Sequence, residues 1–502
     1  MNEHPIIAVI GVLVVAGALL FLLPGCAVNG RPMRFDPNTA GGAVPKARSW
    51  YVEGKTGNGA PVSCSFVEFD ERGDFLDFGQ HLDCQSKIKG LVKSGPLLLV
   101  LYCHGWKNNS QSGDVVQFNA FLTRLAASDE IRNRGLRVHG VYLGWRGNAF
   151  EPYVDKSSEN QSYVQTTQAF GEPIVDRGFE RRAYWTSVFP ETLSYWNRKR
   201  AAEHRVSGLP IARAIFTYAA SAKDYGKKLE NRVCVMGHSF GALMLEQSLG
   251  HAMTGALTMQ WWEIDPDKPA LPFDLVLFVN SAAPSIYAKE MRDFLKAHRS
   301  ALAREHNPGQ DVPVIVSITS TADWATGIIH PIGNLFAPLD PSLKRRYTTG
   351  IFGQKQADGT YPTHQGIRQS DFYTRTPGHQ PYLVNHWIVK DDSPLPADQG
   401  PAGIFSANLS TTTGKRDVFF TSKAKHPASA WRLTTEPQGD RVTLDGMTPS
   451  MADADYWIVS CGKELISGHN DVWSTTTMEM YAGIFRAVES RRGSEPKLKP
   501  GP

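Results

Sequence analysis

The chain has little cysteine and lacks the cysteine pairs of a metal site. Only 6 of its 502 residues are cysteine, and the sequence contains no Cys-x-x-Cys pair. The usual pattern of a structural zinc site is therefore missing, and we expect neither a metal nor another cofactor. Cys103, Cys234 and Cys461 lie in or beside apolar runs, where free cysteine behaves as a small buried hydrophobe. Cys64 and Cys84 lie in more polar sequence and can form a bridge if the protein is exported.

The chain also lacks a strong charge of either sign. Its formal net charge is +4 over 502 residues, which gives no indication of a nucleic-acid-binding surface. Charged residues make up 20% and hydrophobic residues 41%, as in globular proteins. No internal repeat is visible. The length suffices for one large domain with insertions or for two ordinary domains.

Charge is absent altogether from Ile6 to Leu23, a run that ends just before Cys26. Such a run is either a long signal-peptide segment or a short membrane span. The ending Leu-Leu-Pro-Gly-Cys resembles a bacterial lipoprotein signal, which implies lipidation of Cys26 and export to the bacterial envelope. The alternative is an uncleaved anchor. Arg31 and Arg34 follow the run and the leader has no Lys or Arg, so the positive-inside rule would keep the body of the protein cytoplasmic. Both interpretations predict attachment to a membrane.

Apolar, β-branched runs alternate with helical patterns along most of the chain. Runs typical of strands buried on both faces cover Leu97–Cys103, Arg137–Trp145, Asn231–Gly237, Phe273–Ser281, Val312–Ser320 and Asp455–Cys461. Helical patterns lie at Phe189–Val206, Pro210–Gly226 and Tyr287–His306. This alternation predicts an α/β domain with a mostly parallel central sheet and helices on both faces. Before it, Ser65 to Gly79 alternates around Glu-Arg-Gly and predicts a β-hairpin.

Two stretches interrupt this alternation, and we interpret both as insertions: a polar one at about 148–182, and one rich in proline, glycine and polar residues at about 332–454. The second is too polar for a central sheet, and we expect it to hold a few strands of its own, such as Pro381–Lys390. The predicted organisation is a signal or anchor segment at 1–26, a tether at 27–50, the domain at 51–490 and a disordered tail at 491–502.

The segment Gly-His-Ser-Phe-Gly, residues 237–241, stands between an apolar strand run and an apolar helical pattern. Glycines two positions to either side of Ser239 allow a close strand-to-helix turn, which lifts the hydroxyl to the carboxyl edge of a sheet. The dipole of the following helix and the backbone N–H of Phe240 favour negative charge beside the serine. We therefore predict that Ser239 is a nucleophile. The alternative is a structural serine that caps the helix.

With this motif in this position, the sequence resembles the α/β-hydrolase superfamily from about Leu97 to Val488. The resemblance implies an α/β-hydrolase fold, a serine followed in the chain by an acid and then a histidine, and an oxyanion loop after an earlier strand. Cys-His-Gly-Trp stands at the oxyanion position, so the N–H groups of Trp106 and Phe240 would form the oxyanion hole. It is unlike the triple-glycine loop of some esterases, and His104 and Trp106 can instead pack the strand end.

The acid of the family follows a later strand, which is the position of Asp323 after the Val312–Ser320 run. The resemblance therefore implies that Asp323 is the acid of the triad. Alternatively, Asp323 caps a helix or turn that starts at Trp324. Asp453 and Asp455 are poorer candidates, because they precede a strand and would lie at its opposite end.

The histidine must follow the acid. The histidines after Asp323 are His330, His364, His379, His386, His426 and His469. Of these, His469 comes shortly after the last strand run and before a closing helical pattern. Its Gly-His-Asn-Asp loop looks like the catalytic-histidine loop of the family. His386 lies inside a strand-like segment, which is more consistent with a packed side chain.

The predicted function is hydrolysis of a carboxylic ester, such as a lipid or another acyl ester, by a membrane-attached serine enzyme that needs no cofactor. Acyl transfer, thioester hydrolysis and peptide cleavage use the same machinery, and fold analogy does not choose among them. The alternative from another class is a non-catalytic surface protein that keeps the fold as a binding module.

Overall fold

The computed structural model describes residues 32–39, 48–57, 59–147, 195, 197–223, 231–260, 271–298, 313–331, 371–380, 383–391, 420–422, 429–434 and 455–493. The predictions on the apolar run Ile6–Leu23, on lipidation of Cys26 and on the insertion at 148–182 lie outside these residues. None of the described helices is both long and apolar enough to cross a membrane.

The described strands form one 11-stranded sheet. They are β1 (Tyr51–Lys55), β2 (Pro61–Glu68), β3 (Leu97–Cys103), β4 (Arg137–Gly144), β5 (Arg232–His238), β6 (Leu275–Val279), β7 (Ile315–Ser320), β8 (His386–Asp391), β9 (Phe420–Ser422), β10 (Ser429–Thr434) and β11 (Tyr456–Cys461). Their order across the sheet is β1-β2-β4-β3-β5-β6-β7-β11-β8-β10-β9. From β2 to β8 all neighbours pair in parallel, whereas β1, β10 and β9 pair antiparallel at the two sides. The predicted α/β class and mostly parallel sheet are confirmed.

Helices cover both faces of this sheet. They are α1 (Phe78–Lys93), α2 (Gly113–Ala127), α3 (Asp129–Asn133), α4 (Leu209–Lys223), α5 (Phe240–Gln260), α6 (Ser285–Ala297), α7 (Asp371–Thr374) and α8 (Thr475–Gly493), with π-helical turns at Ala202–Val206 and Ala325–Ile329. Alternate side chains of β3 enter two separate cores, because successive residues of a strand point to opposite faces. Leu99 packs with residues of α1, α4 and α5, and Leu98 packs with residues of α2 and α8.

The hairpin predicted at Ser65–Gly79 is formed only at its turn and in the residues next to the turn. Its first half is the end of β2, which pairs with β1 and β4. The returning segment pairs antiparallel through the bridge between Phe69 and Phe75, where the N–H of Leu76 donates to the carbonyl of Glu68 and the N–H of Asp70 to that of Asp74, each at 2.8 Å. The extended segment ends there because the carboxylate of Asp77 accepts a hydrogen bond from the N–H of Gly79 at 2.7 Å and so caps α1.

The second predicted insertion supplies strands to the main sheet. This is contrary to the expectation that its composition was too polar to form part of a central sheet. β8 overlaps the predicted strand Pro381–Lys390 and pairs in parallel with β11, and β10 and β9 extend the same side. His386 begins β8, and its ring lies 4.7 Å from that of Trp457, in agreement with a packed side chain. At the other end of the domain, α8 continues to Gly493, so the first residues of the predicted disordered tail are helical.

Part of the predicted tether is packed against the domain. The carboxylate of Glu68, at the end of β2, accepts hydrogen bonds from the N–H groups of Met33 and Arg34, each at 3.0 Å. The side chain of Arg34 donates to the carbonyl of Ser110 at 2.7 Å. Its guanidinium lies 3.8 Å from the ring centroid of Phe66. The tether is therefore held at the carboxyl edge of the sheet, where the parallel strands end.

Cysteines in the described residues are all buried free thiols. Cys64 on β2 and Cys84 on α1 are not joined by a disulfide, so the bridge that export would allow is not formed here. Burial raises the pKa of the Cys64 thiol to about 12, which keeps it protonated and unreactive at neutral pH.

Candidate active site

Ser239 lies in a tight turn at the carboxyl edge of the sheet. β5 ends at His238 and α5 begins at Phe240. Ser239 has a φ of 54°, in the left-handed region that costs an L residue about 1–2 kcal/mol. Its N–H donates to the carbonyl of Val279 at 3.1 Å, and its own carbonyl accepts from the N–H of Leu243 at 3.1 Å. Backbone hydrogen bonds to β6 and to the first turn of α5 thus hold the strained residue.

The two glycines of the motif are required because neighbouring backbone lies very close to them. A Cβ on Gly241 would be 2.2 Å from the carbonyl oxygen of Cys103 and 2.5 Å from that of His104. A Cβ on Gly237 would be 2.8 Å from the Cα of Ala242. Either side chain would push the strand, the helix and the loop after β3 apart, so the Gly-x-Ser-x-Gly spacing serves packing as well as the turn.

The structure brings Ser239, Asp323 and His469 together from the ends of β5, β7 and β11. His469 Nε2 lies 2.7 Å from Ser239 Oγ. His469 Nδ1 lies 3.0 and 2.9 Å from the two carboxylate oxygens of Asp323. A carboxylate only accepts, so Nδ1 carries the proton and Nε2 is left to accept one from the serine hydroxyl. This is the geometry of a nucleophile beside an oriented general base.

Asp323 is 1% exposed and is fixed by backbone donors as well as by His469. Its Oδ1 accepts hydrogen bonds from the N–H groups of Ala325 at 3.0 Å and Thr326 at 3.2 Å. Asp323 therefore also caps the π-helical turn, as the alternative interpretation of the sequence expected. Burial alone would raise the pKa of Asp323, but the neighbouring His469 and the hydrogen bonds lower it to about 2. The carboxylate is thus ionised at neutral pH.

Two side chains that the sequence did not single out hold the backbone of His469. The carbonyl of His469 accepts hydrogen bonds from His238 Nε2 at 2.9 Å and from Asn280 Nδ2 at 3.3 Å. Asn280 has a φ of 45° and its Oδ1 accepts from the N–H of Ser320 at 3.0 Å, so it connects β6, β7 and the histidine loop. Burial and the adjacent His469 lower the pKa of His238 to about 3, which keeps it neutral. The position of His238 inside the motif was the only available signal.

The loop after β3 passes directly against Ser239. A Cβ on Gly105 would lie 2.9 Å from the Cβ of Ser239 and 2.9 Å from Nδ1 of His238. The next residue, Trp106, packs its ring 6.2 Å from that of Phe240. Phe240 is the first residue of α5, and N–H groups in a first helical turn have no partner within the helix. The two N–H groups predicted to form an oxyanion hole therefore belong to adjacent segments beside the serine.

The side chain of His104 supports packing of the strand end, as the alternative interpretation expected. Its Nε2 accepts a hydrogen bond from the N–H of Trp145 at 3.1 Å, so Nδ1 carries the proton and donates to the carbonyl of Gly105 at 2.9 Å. Its ring stacks on that of Trp145 with 10° between the planes. Burial lowers the pKa of His104 to about 4, and the neutral imidazole holds the loop after β3 in place.

The other described acid and histidine candidates make different contacts. Asp455 precedes β11 and its carbonyl accepts from Val314 N–H at 2.9 Å, at the opposite edge from His469. His330 is fully buried after the π-helical turn, and His379 Nδ1 lies 3.0 Å from Thr376 Oγ1. Asp453, His364 and His426 lie outside the described residues.

Within the described residues, no group of three or more His, Cys, Asp or Glu side chains is placed to hold a metal ion. Comparison of the chain with protein-family models, with curated proteins and with solved structures gives no match. What the site does must therefore be argued from its own geometry.

Proposed function

We propose that the chain is a serine hydrolase of the α/β-hydrolase type, which cleaves a carboxylic ester through an acyl-enzyme on Ser239. The observation that carries the proposal is the 2.7 Å contact between His469 Nε2 and Ser239 Oγ, with His469 Nδ1 on the Asp323 carboxylate. The positive φ of Ser239 supports it, because a serine that only caps a helix has extended backbone, whereas a nucleophile turn is strained.

Each group would have one role in the reaction. As Ser239 Oγ attacks the ester carbonyl, His469 Nε2 takes the hydroxyl proton, and Asp323 stabilises the imidazolium that forms. The N–H groups of Trp106 and Phe240 would donate to the tetrahedral oxyanion, where loss of one donor costs about 10²- to 10³-fold in kcat. His469 then gives its proton to the leaving alcohol. In the second half of the reaction His469 takes a proton from a water molecule, which attacks the acyl carbonyl. The bond between Ser239 Oγ and the acyl group breaks, His469 returns the proton to Ser239, and the acyl group leaves as the acid.

Labelling with a fluorophosphonate tests this function. We expect covalent modification of the wild-type chain at Ser239 by peptide mapping, and no modification of Ser239→Ala at an unchanged Tm. Ser248→Ala is the matched control, because Ser248 is also buried on α5 and its hydroxyl donates to the Met244 carbonyl at 2.8 Å. A wild-type chain that hydrolyses no acyl ester and takes no label would instead support the non-catalytic binding module.

Substrate trials separate the chemistries that share this machinery. Acyl esters of increasing chain length, supplied with and without an acceptor alcohol, distinguish hydrolysis from acyl transfer. A thioester and a peptide of matched acyl group complete the comparison. We expect the oxygen ester to give the highest kcat/KM and the acceptor alcohol to leave the yield of free acid unchanged.

We also propose that the N-terminal segment attaches the enzyme to a membrane. The uncharged run from Ile6 to Leu23 supports this. Incorporation of a radiolabelled fatty acid that is lost in Cys26→Ser would support a lipoprotein of the bacterial envelope. Membrane attachment without such incorporation would support the uncleaved anchor.

A further inference from the structure

Large apolar side chains exposed to solvent are concentrated at one end of the domain. Within the described residues they are Phe78 (54% exposed), Leu82 (52%), Leu209 (78%), Trp324 (48%) and Ile328 (58%). Single exposed apolar residues are common on any protein. Here all of those in the described ranges lie where the parallel strands end, which is also the edge that holds the candidate active site.

The topology places each of these residues at this edge. Phe78 and Leu82 lie in the first two turns of α1, which follows the carboxyl end of β2. Trp324 and Ile328 follow β7 directly, beside the candidate acid of the site. Leu209 begins α4, whose far end is fixed at the opposite edge, since Lys223 pairs there with Asp274 just before β6 at 2.6 Å.

The N-terminal chain enters the domain at the same edge. Glu68, the last residue of β2, binds the backbone N–H groups of Met33 and Arg34. An extended chain covers about 3.3–3.6 Å per residue, so Cys26 lies at most about 25 Å from Met33. Three strand pairings separate β2 from β5, which at about 4.8 Å each puts the Ser239 turn about 14 Å across the sheet from Glu68. A short tether therefore joins the predicted anchor to the edge that carries the site.

We infer that this edge rests on the lipid bilayer that holds the N-terminal run, and that the ester substrate is an acyl ester of a membrane glycerolipid. Water would cleave the acyl–oxygen bond to give a fatty acid and a lysolipid. The choice of substrate rests on the proposed ester hydrolysis, whereas docking of the edge rests on the proposed membrane attachment and not on catalysis. A tryptophan such as Trp324 is favoured at the headgroup level of a bilayer, because its N–H can bind water or headgroups while the rest of the ring contacts apolar chains. A tether of at most about 25 Å keeps this edge within reach of the bilayer.

The activity test uses the full chain reconstituted in vesicles of phosphatidylethanolamine and phosphatidylglycerol. One substrate is a vesicle phospholipid with a fluorescent acyl chain, and the other is water-soluble p-nitrophenyl acetate. The triple variant Phe78→Gln, Leu209→Gln, Ile328→Gln should lower phospholipid hydrolysis about tenfold or more and leave acetate hydrolysis within about twofold. The control Lys93→Gln changes an exposed residue at the opposite edge and should alter neither rate. Equal phospholipid hydrolysis by wild type and triple variant would overturn the inference.

A second measurement reports docking without catalysis. A photoreactive phospholipid in the same vesicles, followed by peptide mapping, should label the segments around Phe78, Leu209 and Trp324. It should not label Ser94 to Leu97 or Arg134 to Arg137, at the opposite edge. Labels on both edges alike, or on neither, would refute docking even if the enzyme hydrolyses esters. If the labels fall as expected but neither ester is cleaved and Ser239 takes no fluorophosphonate, the proposed function fails and the docking surface stands.

Discussion

Replacement of Gly241 by alanine tests the packing of the Ser239 turn most directly. The wild-type Cα hydrogen faces the carbonyl oxygens of Cys103 and His104, where a Cβ would lie 2.2 and 2.5 Å away. Ordinary van der Waals contact begins at 3.4 Å, so the backbone of the helix and that of the loop would have to separate by about 1 Å. The neighbours are main-chain atoms of β3 and its loop, and no side-chain rotation relieves the contact.

Two effects of opposite sign compete in Gly241→Ala. Alanine is about 1 kcal/mol better than glycine in a helix interior. Overpacking against fixed atoms costs about 1–3 kcal/mol, and a clash with backbone belongs at the upper end of that range. We therefore expect a net loss of about 2 kcal/mol, which for a domain of about 440 residues is a fall in Tm of about 2 °C. A shift of about 1 Å between nucleophile and base also costs about 10²-fold in rate, so fluorophosphonate labelling should slow by that factor.

Gly255→Ala is the matched control, because Gly255 lies in the same helix and no atom lies within 4 Å of its added Cβ. The control should keep only the helix-propensity gain and raise Tm slightly, with an unchanged labelling rate. Thermal unfolding followed by circular dichroism and a labelling time course measure both variants. If Gly241→Ala unfolds at or above the Tm of Gly255→Ala, the close approach of these backbones is refuted.

Three further predictions concern titratable groups of the site and its surroundings. Asp323→Asn should lower kcat on a soluble ester about 10³- to 10⁴-fold, because an amide no longer favours the Nδ1–H tautomer of the base; a loss under tenfold would contradict the role of the acid. Burial lowers the pKa values of His104 and His238 to about 4 and about 3. Since the unfolded chain binds protons at these two histidines first, and together they outweigh the opposite effect of the buried Glu246, Tm should fall as the pH drops from 6.5 to 4; a level Tm across that interval would show these histidines to be solvated. Burial raises the pKa of Glu246 to about 8, so its contribution to stability is full below pH 4.5 and is lost as pH rises through 8; Glu246→Gln should exceed wild type in Tm at pH 9 but not at pH 5.

Local sequence was informative wherever one periodicity or one turn decides the structure. β3 has the predicted bounds, since a run of seven buried residues can only cross the middle of a sheet. The resemblance to the α/β-hydrolase superfamily selected Asp323 and His469 as companions of Ser239, and the three meet because residues after parallel strands lie at one edge. Their roles in catalysis stay predictions, but their proximity is a property of the fold.

Other features depend on contacts that a linear pattern does not contain. The segment after β2 alternates like a strand, yet the Asp77 cap converts it into a helix entry. β8 joins the main sheet because it finds a partner in β11, although its flanking sequence is polar. The hydrogen bonds of His238 and Asn280 to the His469 carbonyl join residues more than one hundred positions apart, which no local spacing indicates.

The position of β11 in the sheet has a consequence for biosynthesis. β11 lies between β7 and β8, so β8, β10 and β9 can join the sheet only after a strand made later in translation has been inserted. That same late segment delivers His469. A nascent or truncated chain thus displays Ser239 and Asp323 without His469, and under the proposed function it would remain inactive until β11 and the loop that follows it have left the ribosome.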